Sequence, residues 1–89
     1  MKSHTTEQFR KLLGLLPMQT RQQAREAYRL FRQNPSHPSL RFKKIHATQP
    51  IYSARVNKDC RVVGVMKGDV IVWFWIGPHH EYDKLLKQF

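Results

Sequence analysis

The sequence has little cysteine, little glycine and few acids, and each shortage removes a class of protein. Cys60 is the one cysteine, so no disulfide framework can form inside the chain, and a lone thiol fits a reducing cytoplasm. The four glycines build no phosphate-cradling loop, and no serine or cysteine nucleophile motif is present. Long apolar runs are missing too. The longest, Val70 to Ile76, is far too short to cross a bilayer. The patch Leu12 to Leu16 is crowded by Glu7, Gln8, Arg10 and Lys11, which is not the pattern of an export signal. A cytoplasmic protein without a membrane role is the expectation.

The shortage of acids says most. Six Asp/Glu stand against 16 Lys/Arg, a net charge of +10. The excess is uneven: residues 1–45 carry ten Lys/Arg and two acids, residues 46–89 six and four. A small basic domain suits a polyanionic partner, either nucleic acid or an acidic protein.

What is present is enough for one packed core. The 89 residues are 40% hydrophobic and 11% aromatic, which fits a single domain over 1–89 and argues against disorder. Thr5-Thr6-Glu7-Gln8 has capping-box spacing, with Thr5 at the N-cap and Gln8 three residues on. Phe9, Leu12, Leu13 and Leu16 then mark one apolar helical face that ends at Pro17. Ala24, Ala27, Tyr28 and Phe31 mark a second helix over 18–33, stopped by Asn34-Pro35. Its other side carries Arg21, Arg25, Arg29 and Arg32 with only Glu26 to offset them, a solvated face or a docking rail.

After the loop Asn34 to Ser39 the period changes to two. Strands are predicted over 40–46, 51–57, 61–66 and 70–76. Lys58-Asp59 and Gly68-Asp69 supply the tight turns, and Pro78 ends the sheet. Residues 1–8 show no strand pattern. The run 70–76 is apolar on both faces and reads as a central strand, with a short helix over 80–88 after it. Helices first and strands later imply an α+β fold: a helical hairpin on one face of a four-stranded antiparallel sheet, the other face partly open.

Two features carry chemistry. Arg55 and Arg61 flank a short turn, and strand parity decides whether they share a face. Together they suit a phosphate; the alternative is pairing with Asp59, Asp69 or Glu81. At the end of the rigid strand lies Gly-Pro-His79-His80-Glu81-Tyr82. Histidine exchanges protons near neutral pH, glutamate accepts one, and tyrosine stacks or donates a hydrogen bond. Those parts suffice to cleave RNA through its 2′-OH without a metal, a route closed to DNA. The alternative is an ordinary polar loop with Tyr82 in the core. Adjacent His79 and His80 do not readily share one ion, His4, His37 and His46 are scattered, and no metal or cofactor is expected.

The chain resembles the RelE/ParE toxin superfamily of bacterial type II toxin–antitoxin systems. The resemblance spans about residues 9 to 87. It rests on Asn-Pro-x-x-Pro-Ser-Leu-Arg-Phe leading into a strand, the Arg55/Arg61 spacing, and the ending Trp-Ile-Gly-x-His-x-Glu-Tyr-Asp. It implies a helical hairpin on an antiparallel sheet, mRNA cleavage in RelE-like members, often on the ribosome, and an acidic antitoxin partner. It places Arg61 at the family's phosphate-contacting arginine and His79 at a histidine used in acid–base chemistry. Tyr82 falls at an aromatic of the C-terminal helix, and Arg55 at a basic strand position. His79, or His80 in its place, would serve as general acid or base, with Glu81 as a partner. Lys43, Lys44, Lys58, Arg25 and Arg29 would bind RNA backbone or the antitoxin. Two departures stand out. Members begin with a β-strand where this chain reads MKSHTTEQ, and the paired strand lysines of the RelE type are replaced by Tyr52 and Ala54. A ParE-like branch inhibits DNA gyrase instead, and an inactive binding module shares the same fold.

Overall fold

The computed structural model describes residues 1–89. The first four-residue element is a strand, β1 (Lys2–Thr5), which the sequence pattern did not predict. It is followed by α1 (Glu7–Gly14), α2 (Met18–Gln33) and a 3₁₀ turn over Pro38–Leu40. Then come β2 (Lys43–Lys44), β3 (Ile51–Asn57), β4 (Cys60–Lys67), β5 (Val70–Pro78) and α3 (His79–Leu86). The α+β class holds, but the sheet has five strands in the order β1-β5-β4-β3-β2, and β1 runs parallel to β5. The expected sheet was four-stranded and purely antiparallel.

The reason is tertiary. Strand β1 is polar and too short to show a period, and distant groups hold it. The Trp73 indole N–H donates to Ser3 Oγ (3.1 Å), and the Tyr28 hydroxyl donates to the Ser3 carbonyl (3.1 Å). Thr5 is thereby spent as a strand residue. The N-cap of α1 is Thr6, whose side chain accepts from Phe9 N–H at 3.0 Å, one residue later than the capping-box spacing suggested. Strand β2 is likewise shorter than expected, because Pro38-Ser39-Leu40 closes a 3₁₀ turn and Arg41 follows with φ 45°.

Helices α1 and α2 cover one face of the sheet. Phe9, Ala24, Phe31 and Leu40 bury themselves against Ala54, Val62, Ile71, Trp73 and Ile76. Phe31 meets Phe42 and Trp73 edge-on at 5.0 and 5.3 Å, a geometry worth about 0.5–1.5 kcal/mol per pair beyond burial. On the other face α3 folds back over the sheet, and the Tyr82 hydroxyl donates to Ser53 Oγ (3.1 Å). Tyr82, Ser53 and Val63 form a second buried cluster there.

Strand β5 is not a uniformly buried central strand. Strand β4 occupies the centre, and only Ile71, Trp73, Ile76 and Gly77 of β5 are fully buried. The β4–β5 ladder pairs Val63 with Trp75 and Gly64 with Trp73, leaving Phe74 as an extra residue. That bulge breaks the two-residue alternation. Trp73 therefore faces the helices, and Trp75 faces the opposite side.

Candidate functional site

The side chains that carry chemistry gather on the sheet face away from α1 and α2. Arg55 and Arg61 are direct cross-strand partners in the β3–β4 ladder, so strand parity places them on one face. Arg61 in turn pairs with Gly77 on β5, two residues before His79. The turn between β3 and β4 is tied to the start of α3, because His79 N–H donates to the Asp59 carbonyl (2.7 Å). The site thus sits where three strand ends and a helix start converge.

One Arg61 guanidinium nitrogen donates to the carbonyls of Asn57 (2.6 Å) and Cys60 (3.1 Å). These bonds aim the fork and leave its remaining donors free. No carboxylate pairs with Arg55 or Arg61; the ion pairs with Asp59, Asp69 or Glu81 are not formed. Burial lowers the Arg61 pKa from its ordinary value, and the nearby Arg55 and Arg41 guanidiniums lower it further. Arginine remains charged regardless. Arg55 and Arg61 therefore stand side by side without a counterion, with Arg41 near enough to add to their field, an arrangement that favours an arriving anion.

Arg41 is the member that sequence reasoning missed. It occupies the left-handed region after the 3₁₀ turn, where a side chain costs roughly 1–2 kcal/mol. The available signal was Pro-Ser-Leu-Arg-Phe itself, a proline-initiated turn placing an arginine at the edge of the sheet.

The titratable cluster after β5 separates along the first turns of α3. His79 lies beside Tyr82 (ring centroids 5.8 Å, interplanar 60°), and its Nε2 is 3.5 Å from the Asp83 carboxylate. Tyr82 also packs 6.5 Å from Trp75. His80 is 73% exposed and its Nε2 is 3.5 Å from Glu81, which also reaches Lys84 at 3.7 Å. His80, Glu81 and Lys84 form the outer side of the helix, and His79 and Tyr82 the inner side.

The expected phosphate contacts divide likewise. Lys43 pairs with Ser53 and shares its face with Arg55 and Arg61; Lys44 pairs with Tyr52 and points to the opposite face. Lys58 is exposed in the β3–β4 turn. Arg25 and Arg29 stand exposed on α2, across the sheet from Arg61. No three His, Cys, Asp or Glu side chains converge as a metal site.

A separate apolar groove of about 340 Å³ lies on the helix-covered side, floored by Ala54 and Trp73 and walled by Phe9, Leu13, Ala27 and Tyr28. Arg10, Arg25 and Arg55 also line it. It is a pocket of a different kind, apolar with a basic margin.

The fold is similar to that of the toxin–antitoxin complex RelB–RelE from Methanococcus jannaschii. There the TM-score is 0.74 at 18% identity, covering 92% of this chain and 96% of that one. It is also similar to the archaeal RelE–RelB complex from Pyrococcus horikoshii, with TM-score 0.69, 22% identity and coverage of 86% and 92%. Similarity extends to YafQ from E. coli, with TM-score 0.70, 15% identity and coverage of 91% and 96%. No curated protein matches the sequence significantly. The family model of the ParE-like toxin domain matches residues 18–84, from the first residue of α2 into the last turn of α3, and so takes in Arg41, Arg55, Arg61, His79 and Tyr82. Family and fold agree on the same frame: this chain belongs to the ParE-like toxin domain family, within the RelE/ParE superfamily.

Proposed function

We propose that the chain is a toxin that cleaves mRNA without a metal, on the ribosome, and is held in check by an acidic antitoxin. The observation that carries this reading is the Arg55/Arg61 pair, unpaired by any acid, with His79 held at the adjoining turn. Arg61 and Arg55 hold the scissile phosphate and neutralise the charge that builds on its oxygens. His79 exchanges the proton of the attacking 2′-OH or the leaving 5′-oxygen, with Asp83 orienting the ring. Tyr82, buried and anchored on Ser53, positions the neighbouring His79 ring. Lys43 and Arg41 bind the flanking phosphates. His80 and Glu81, on the outer side of α3, stand further from the phosphate and have the lesser part.

The antitoxin reading draws on the apolar groove. Its lining suits the apolar face of an amphipathic helix, and Arg10 and Arg25 suit acids along that helix's margin. Two of the similar structures are RelB–RelE complexes.

The test is controlled expression in a bacterium with mapping of cellular mRNA 5′ ends by primer extension. Wild type should create new ends and arrest growth. His79→Ala should lose both, while His80→Ala keeps them. Arrest without new ends would replace cleavage by a gyrase-type, non-cleaving inhibition. Neither arrest nor ends would leave a basic binding module.

A further inference from the structure

We propose that the Trp75 indole is a stacking surface for a nucleobase, so that the arginine face recognises a single-stranded nucleotide and not merely a phosphate. The proposal rests on the nucleic-acid reading of that face and adds a base subsite to it.

Three observations converge on Trp75. The bulge at Phe74 turns it away from the helices and onto the face of Arg55 and Arg61. Its ring then lies along its own strand over Gly77. A Cβ built on Gly77 would come within 2.7 Å of the indole, so the ring has its place there because the residue is glycine. Gly77 is the direct ladder partner of Arg61, so the indole lies over the strand position that faces Arg61 across the β4–β5 ladder.

The contrast with Trp73 is instructive. Trp73 is 3% exposed and its indole N–H is bonded to Ser3. Trp75 is only partly buried, and its indole N–H has no acceptor within the protein yet is not sealed from solvent. A large aromatic surface beside crowded guanidiniums is the usual composition of a single-strand nucleic-acid site, because every base has a π-face. Tyr82 stands on one side, 6.5 Å away and tilted by 38°, with its hydroxyl fixed on Ser53. It bounds the subsite at one edge.

The experiment uses the full chain and two fluorescein-labelled probes, measured by anisotropy at fixed salt. One is a single-stranded deoxyoligonucleotide, which lacks the 2′-OH and is not cut. The other is an abasic phosphodiester of equal length. Wild type should prefer the base-bearing probe by about tenfold or more. Trp75→Ala should abolish that preference and leave the abasic affinity unchanged. Trp75→Phe should keep most of it. Arg61→Ala should weaken both probes alike. An unchanged preference in Trp75→Ala, or an equal loss on both probes, overturns the stacking role; equal loss would make Trp75 a packing residue. Wild type binding both probes equally overturns the base subsite alone. Wild type binding neither overturns the nucleic-acid reading beneath it. In a Trp73→Phe background Trp75 is the only tryptophan, and the base-bearing probe should quench its emission; no quenching counts against stacking.

Discussion

Residues on β4 next to one another have opposite electrostatic fates. Arg61 presents its charge to solvent and keeps it. Cys60, one position earlier, turns into the core at 3% exposure. Burial pushes its thiol from 9.0 up to about 11, and Arg61 offsets only part of that shift. The folded state therefore holds the proton more tightly than the unfolded chain. The stability this contributes is fully present below pH 9.0 and is lost as pH rises through about 11. Denaturant melts of the wild type and Cys60→Ala, each at pH 8 and pH 10.5, measure it. The wild type should lose about 1–2 kcal/mol more than the variant between the two pH values. Equal losses would mean the thiol does not titrate with folding. The same burial should keep native Cys60 inert to alkylating reagents.

At the scale of elements, close packing around two glycines decides what β5 can present. Gly64 leaves room for Trp73: an added Cβ would lie 2.7 Å from the indole and 3.0 Å from both Ile71 and the Val72 carbonyl. Gly64→Ala should therefore destabilise by about 1–3 kcal/mol, read as a lower urea midpoint at unchanged slope. An unshifted midpoint would mean that the β4–β5 ladder yields easily. This packing also explains which elements the sequence announced. Helix α2 was legible because Ala24, Ala27, Tyr28 and Phe31 repeat at helical spacing and Asn34-Pro35 stops them. The turns at Lys58-Asp59 and Gly68-Asp69 were legible from local chemistry, and Gly68 does adopt φ 62°. Strand β1 was not, since four polar residues become a strand only once Trp73 and Tyr28 are in place. The bulge was hidden for a related reason. In Trp73-Phe74-Trp75 all three residues are aromatic, so no polarity marks the one that falls out of register. The Arg55/Arg61 pair was legible as spacing, but its shared face followed only from the ladder.

For the molecule as a whole, the charge of +10 is divided between two surfaces with different neighbours. On the helix side, Arg10 and Arg25 border an apolar groove, and Arg29 and Arg32 stand exposed further along α2. On the other side Arg41, Lys43, Arg55 and Arg61 surround a face with polar and aromatic groups and no acid paired to them. Counterion release separates the two. Each phosphate neutralised on a single strand contributes about −0.7 to the slope of log K against log salt, so four such contacts predict a slope of about −3. Replacing Lys43 or Arg55 by alanine should lower that slope by about 0.7 each. Arg29→Ala removes the same unit of net charge from the opposite side. It should lower affinity slightly through the general field and leave the slope near the wild-type value. Titrations of a short single-stranded oligonucleotide at several salt concentrations read this directly. If Arg29→Ala changes the slope as much as Arg55→Ala does, the strand tracks the whole basic surface, and the division into a nucleic-acid face and a partner groove fails.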